Sequence, residues 1–230
     1  MENRNRADIG RLIKMALVRF GAAFVIISLI FFLTAGTFEY INGWLFLGAL
    51  FIPVMTVTIY LAKNDPELLL KRMKSKEKEA EQRLIIKLSY IPFSLALIIP
   101  GLDYRYNWSD IPLWLVIFSI IIMLTGYGMF FLVIRQNSYA SRVVEIQDEQ
   151  KLIEDGLYSV VRHPMYLSNV IMYISIPLVL GSWWALIPMS LFAFVFYYRI
   201  RNEEEVLKVG LPGYHDYMKK VRFRLIPYIW

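Results

Sequence analysis

The sequence predicts an all-α protein, a multi-span transmembrane helical bundle of six spans with a cytoplasmic C-terminal amphipathic extension. Three observations predict it. The 230 residues are 57% hydrophobic and only 19% charged, with a mean hydropathy of +0.48, whereas soluble domains stand nearer half apolar and a quarter charged. The uncharged runs are long enough to cross hydrocarbon, which takes about 20 mainly apolar residues. The basic residues then collect in alternate gaps between those runs, as membrane orientation demands.

The first run, 20–38, follows a basic N-terminal segment and superficially resembles a secretory signal. Its apolar stretch is too long for a signal core and no small-residue cleavage site follows, so it is read as a retained span. The second run is 40–62. The third, 88–102, is short and carries Pro92 and Pro100; it spans only if it begins near Leu84 and Lys87 snorkels to the surface. The fourth is 111–134. The last run, 164–198, holds 35 uncharged residues, which as one helix would reach roughly 50 Å. Gly181 and Ser182 supply a turn within it, and Trp183 and Trp184 suit interface depth, so it divides into two spans.

Six spans place every lysine and arginine except Arg105, of 25 in all, on one face. Both termini are therefore expected in the cytoplasm. The chain reads as an N-terminal part, 1–134, with four spans and a basic cytoplasmic loop at 63–83, followed by a second part, 135–230. In that loop Asn64 or Asp65 can cap a helix, Pro66 fits the first turn and Glu67 complements the positive helix end. Its lysines beside Leu68, Leu69, Leu70 and Met73 suggest a membrane-surface helix attracted to anionic lipid, with a solvated connector as the alternative.

Composition also excludes chemistry. With no cysteine there is no disulfide, thiolate metal site or cysteine nucleophile. Two histidines, His163 and His215, do not make a histidine-rich metal cage, and no metal is expected. The net charge of +6 flanks apolar runs, which points to a membrane face rather than nucleic acid.

The polar content that remains sits beside the last two spans, beginning with "GLYSVVRHPMY" at 156–166. Pro164 fits a first helical turn, whose amides and dipole favour an anion, with Arg162 and His163 beside it. Tyr166 projects from the same turn. After the last span Arg199 and Glu203 are four residues apart, as are Arg201 and Glu205, so each pair shares a helix face. Each piece has an ordinary reading. The arginines are positive-inside anchors, the glutamates a solvated face, His163 a helix cap, Tyr158 and Tyr166 interfacial aromatics, and Tyr214 and Tyr217 packing for the tail. The combination says more. A tight turn makes the last two spans antiparallel neighbours, which returns Arg199 and Glu203 to the level of His163 and Tyr166. Such a rim suits a zwitterionic ligand with an aromatic base.

"GLYSVVRHPMY", two spans and then "RIRNEEEVL" and "PGYHDYMKKVRFRLIP" resemble the isoprenylcysteine carboxyl methyltransferases and related membrane phospholipid methyltransferases, over roughly 137–230. The resemblance implies methyl transfer from S-adenosyl-L-methionine within a multi-span helical fold, and makes 135–230 the catalytic part. The absence of a Gly-rich dinucleotide fingerprint agrees with it. Position by position, His163, Pro164, Met165 and Tyr166 match the family's cofactor-binding motif, and Tyr158 an upstream aromatic contact. Gln150, Lys151, Leu152 and Ile153 fall where the family lays backbone along the cofactor. Glu203 matches a cofactor glutamate and Arg199 an arginine assigned to substrate. Departures are Leu157 for a common proline, "LPG" after the glutamates, and Ser168 and Asn169 where a small glycine often follows the motif; the last bears on substrate more than on cofactor.

The expected acceptor is lipophilic and reaches the site from the bilayer among membrane lipids, an isoprenylcysteine-type carboxylate first. A phospholipid amine or a small thiol is the alternative; such an acceptor needs a proton acceptor, and Glu204 is the nearest. From another class, a transporter is disfavoured because no charge falls inside spans one, two, four, five or six, and a non-catalytic membrane protein remains to be separated by cofactor binding.

Overall fold

The computed structural model describes residues 2–73, 80–140, 146–147 and 149–230, and among them every regular element is helical. α1 (Glu2–Ala35) packs on α2 (Ile41–Asn64) and on α4 (Ala80–Tyr106); α2 also meets α5 (Leu113–Gln136). Four segments are long and apolar enough to cross a membrane: Leu12–Ala35, Ile41–Asn64, Gln82–Tyr106 and Leu113–Gln136. The third is the run that looked short. It is a full span of 25 residues because helix continues through Pro92 and Pro100 and past the apolar stretch at both ends.

The last run forms a hairpin of different proportions. α6 (Pro164–Val179) has 16 residues, the turn passes through Gly181, and the return is a short α7 (Leu186–Ser190) followed by α8 (Phe192–Gly210). Gly181 sits at φ +78, in the left-handed region where glycine is unstrained, and the turn closes through Gly181 N–H to Leu178 O and Ser182 N–H to Pro177 O. Trp183 and Trp184 are both exposed beside it. α6 lies along α5, where Gly126 permits the approach: a Cβ there would fall 2.7 Å from Met172 Cγ and 3.2 Å from the Ser168 carbonyl. Small residues at such crossings are what membrane helices use to pack closely.

The far end of the hairpin is fastened by buried polar groups. Asp103, near the end of α4, accepts from Ser109 N–H and Oγ, both at 2.7 Å, and from Ser182 Oγ. Tyr40, buried ahead of α2, donates its hydroxyl to the Leu180 carbonyl, and Asn42 Nδ2 donates to Val179 O. These bonds give the turn's leftover carbonyls the partners that hydrocarbon cannot supply. The main core runs through Phe31, Phe46, Ala96, Met123, Leu180, Phe192 and Ile200, drawing on both parts of the chain.

The 63–83 loop begins as expected, with Asp65 Oδ1 accepting from Leu68 N–H at 2.9 Å to cap α3 (Pro66–Met73). Its leucines divide differently from a lipid-facing stripe. Leu68 and Leu69 are buried against Leu12, Leu61, Ala62 and Ile134, and only Leu70 is exposed. Packing on neighbouring helices removes their apolar surface from water as effectively as a bilayer would. Lys74, Lys76 and Lys78 lie outside the described residues, as do the side chains of Arg4, Arg6 and Arg11. Beyond α8, α9 (Tyr214–Lys220) follows Gly213, and the chain ends in an extended stretch and a tight turn.

Candidate active site

α6 begins at Pro164, which has no N–H to lose, and Leu167 N–H makes the first bond inside the helix, to the His163 carbonyl. His163 is held from behind. Its amide donates to Arg224 O at 2.9 Å, and Arg162 N–H donates to Phe223 O at 2.9 Å, so the approach to α6 is paired with the extended stretch after α9.

The two glutamates at 203 and 204 point to different tasks. Successive helical residues lie about 100° apart. Glu203 faces inward to the rim of α6: Tyr166 donates its hydroxyl to Glu203 Oε2 at 2.8 Å, and His163 Nδ1 lies 3.9 Å from Oε1. Arg199, one turn earlier, directs Nε at the Tyr166 hydroxyl at 3.4 Å. Glu204 faces the other way, its side chain 1% exposed. Arg162 Nε meets Oε1 at 2.7 Å, Arg224 Nε meets Oε2 at 2.8 Å, and His163 Nε2 lies 3.4 Å from Oε1. Burial raises the Glu204 carboxyl, but the hydrogen bonds from His163, Arg162 and Arg224 outweigh it and hold the group well below the usual carboxylate range. Arg162 donates also, through Nη1, to the carbonyls of Val221 and Arg222.

A third wall comes from the segment before the hairpin. Tyr158 accepts from Asn137 Nδ2 at 2.8 Å through its hydroxyl, and its carbonyl accepts from the Tyr217 hydroxyl at 2.7 Å. Burial pushes the Tyr158 phenol up to about 12 and raises those of Tyr214 and Tyr217 as well, so all three are neutral at physiological pH. Leu152 packs with Leu211, Tyr214, Tyr217 and Val221, which lays the 150–153 backbone against α9. Gly156 sits at φ +59, in the left-handed region that favours glycine, with the Gln136 amide packed close against it.

These walls enclose one cavity of about 410 Å³, within the usual range for small-molecule sites. Its polar end is lined by Gln150, Lys151, Leu152, Ile153, Tyr158, His163, Pro164, Met165, Tyr166 and Glu203. Its other end is apolar, bounded by Ile86, Tyr90 and Phe93 of α4 with Tyr173, Phe192 and Phe196 of the hairpin. Arg199 lines the cavity as well, on the turn of α8 that carries Glu203.

The structure thus brings to one cavity every residue that the sequence marked for a cofactor, together with Arg199. Glu204 is the exception. It does not line the cavity, because its carboxylate is turned away and engaged by three basic side chains. Lining residues that sequence reasoning missed include Arg72, Ser89, Asn137 and Tyr139. Arg72 was absorbed into a basic loop, yet its guanidinium lies over Phe130 and donates to Ala140 O at 2.7 Å. Nothing local in the sequence signals a contact across 68 positions.

Residues 115–209 match the family model described as the isoprenylcysteine carboxyl methyltransferase (ICMT) family. The match makes that segment similar to this family and covers less than half of the chain. No curated protein matches the chain. Its four long apolar helices, together with this match, support an integral membrane protein with a methyltransferase-like segment. The ICMT segment runs from α5 to the end of α8, so it contains the hairpin, the 150–153 wall and both glutamates. The apolar wall on α4, the tyrosines of α9 and the stretch that holds His163 lie outside it.

Proposed function

We propose that this protein is an S-adenosyl-L-methionine-dependent methyltransferase acting on a lipophilic acceptor, with an isoprenylcysteine-type carboxylate as the first choice. One observation carries the reading: a single cavity joins a polar, aromatic-walled end to an apolar end between helices, with Arg199 also on its wall. The polar end fits the cofactor chemically. Glu203 offers a carboxylate, the 150–153 backbone offers peptide groups, Tyr158 and Tyr166 offer ring faces, and His163 with the start of α6 suits a carboxylate. When bound, the cofactor supplies an electrophilic methyl group on a sulfonium.

The protein's work is then orientation and exclusion of water. Tyr166 sits between Glu203 and Arg199, accepting from one and donating to the other, so the group that holds cofactor and the group that aligns acceptor are set in one register. Arg199 favours an anionic acceptor, which attacks without losing a proton. That favours a carboxylate over an amine or thiol, because Glu204 is engaged elsewhere and cannot serve as the base. Ile86, Phe93 and Phe192 would shelter the lipid tail. The helical hairpin α6–α8 supplies the fifth and sixth spans, with both termini and the cavity's polar end on the cytoplasmic side.

Binding of S-adenosylhomocysteine to the purified protein, measured by calorimetry beside His163→Ala and Glu203→Ala, tests the pocket. Micromolar binding that both substitutions abolish, followed by methyl transfer to a prenylated cysteine, is expected. A folded, monodisperse wild type that binds nothing would overturn the reading.

A further inference from the structure

The stretch that holds His163 continues into a turn at 225–230 that faces outward. The turn closes on itself, with Leu225 and Ile226 N–H both donating to the Trp230 carbonyl and Trp230 N–H to Ile226 O. Only Leu225 is buried; Tyr228 is 91% exposed and Ile229 77% exposed. An aromatic and a β-branched side chain left this open on a water-facing tail would be unfavourable. The surroundings say where they belong. Trp230 stacks on Tyr197 with ring centroids 5.3 Å apart, and Tyr197 with Tyr198 closes the uncharged part of α8. Arg201 donates to the Tyr197 hydroxyl at 3.1 Å, and the Arg224 guanidinium lies 5.4 Å from the Trp230 ring centre. Phe223 packs on Tyr228. Tyrosine and tryptophan beside arginine, at the level where a helix leaves hydrocarbon, is the arrangement that seats protein in a headgroup layer.

We propose that the 225–230 turn is a seat for the phospholipid interface, and that lipid against Tyr228 and Ile229 keeps the 221–224 stretch closed over the back of the cofactor pocket. The connection is short. Phe223 and Arg224 carbonyls hold the amides of Arg162 and His163, and Arg224 Nε holds Glu204. A turn lifted from the interface would draw the stretch away from all three. The bilayer is thereby a structural partner of the pocket, whatever acceptor the pocket takes.

The absence of cysteine makes the test direct, since one introduced thiol labels uniquely. Tyr228→Cys and Lys219→Cys would carry a nitroxide in nanodiscs of phosphatidylcholine with phosphatidylglycerol. The label at 228 should be reached by oxygen and shielded from an aqueous nickel chelate, while that at 219 shows the reverse. Equal chelate access at both positions would overturn the seat. In the same nanodiscs, hydrogen exchange of the peptide covering 160–163 should quicken at least tenfold in a Tyr228→Ser, Ile229→Ser variant; exchange unchanged from wild type would overturn the coupling to the pocket. Neither readout needs ligand or turnover, so both stand apart from the methyltransferase reading.

Discussion

Replacing Glu204 by glutamine tests the charge cluster behind the pocket. The substitution keeps shape and removes one negative charge from a carboxylate that Arg162 and Arg224 contact at 2.7 and 2.8 Å. The two contacts are unequal. Arg162 is 4% exposed and Arg224 30% exposed. An exposed pair is worth at most about 1 kcal/mol, whereas stranding a buried cation costs about 3–5 kcal/mol. Arg162 keeps two backbone carbonyls and glutamine keeps one oxygen, so the expected loss falls at the lower end, about 3 kcal/mol. For a chain of this size that lowers the melting temperature by about 6–12 °C.

The pH dependence fixes the mechanism. The folded carboxyl is held below its ordinary value of 4.5, so its contribution is complete above that pH and is lost as pH falls toward the folded value. A protonated glutamate resembles glutamine, so the gap between wild type and Glu204→Gln should be full at pH 7 and narrow below about pH 4.5. Thermal unfolding in detergent across that range is the assay. A variant that melts with wild type at pH 7, or a gap that persists unchanged in acid, would refute the reasoning.

Two further substitutions probe separate joints. Gly126→Val puts a branched side chain where even a Cβ meets Met172 at 2.7 Å; a loss of about 1–3 kcal/mol is expected, read as a lower unfolding midpoint. Tyr166→Phe removes the 2.8 Å bond to Glu203 without opening a cavity, and should weaken S-adenosylhomocysteine by about three- to tenfold in calorimetry while leaving the melting temperature within about 2 °C.

The hydropathy of the chain made four long helices legible, and the tight turn at Gly181 was plain because glycine and serine interrupt an uncharged run. The third helix was harder. Its apolar residues begin at Leu84, but the apolar span extends back to Gln82, which is fully buried because Asn202 and the Arg199 carbonyl meet its amide. A polar residue that draws its partners from more than 100 positions away looks, in sequence, like the end of a span. Glu204 was misplaced for a related reason, while Glu203 lies on the cavity wall. Spacing shows that Glu203 and Glu204 face different ways but not that Arg162 and Arg224 both gather at Glu204, and the second of these lies in a tail that carries no hydropathy signal. The i to i+4 partnership expected between Arg201 and Glu205 is also loosened: Arg201 donates to Tyr197, and Glu205 pairs with Lys208 at 2.7 Å.

The hairpin lines the cavity throughout, and α4 joins it only at the apolar end. His163, Tyr166 and Glu203 lie on the hairpin or at its start, while Ile86, Tyr90 and Phe93 on α4 bound the apolar end together with Tyr173, Phe192 and Phe196. Substitutions at these three positions of α4 can therefore reshape the apolar end without touching His163 or Glu203, so long as Gln82 keeps its bonds to Asn202 and the Arg199 carbonyl. Drift at three positions of one helix could change what the apolar end admits while the hairpin stays as it is.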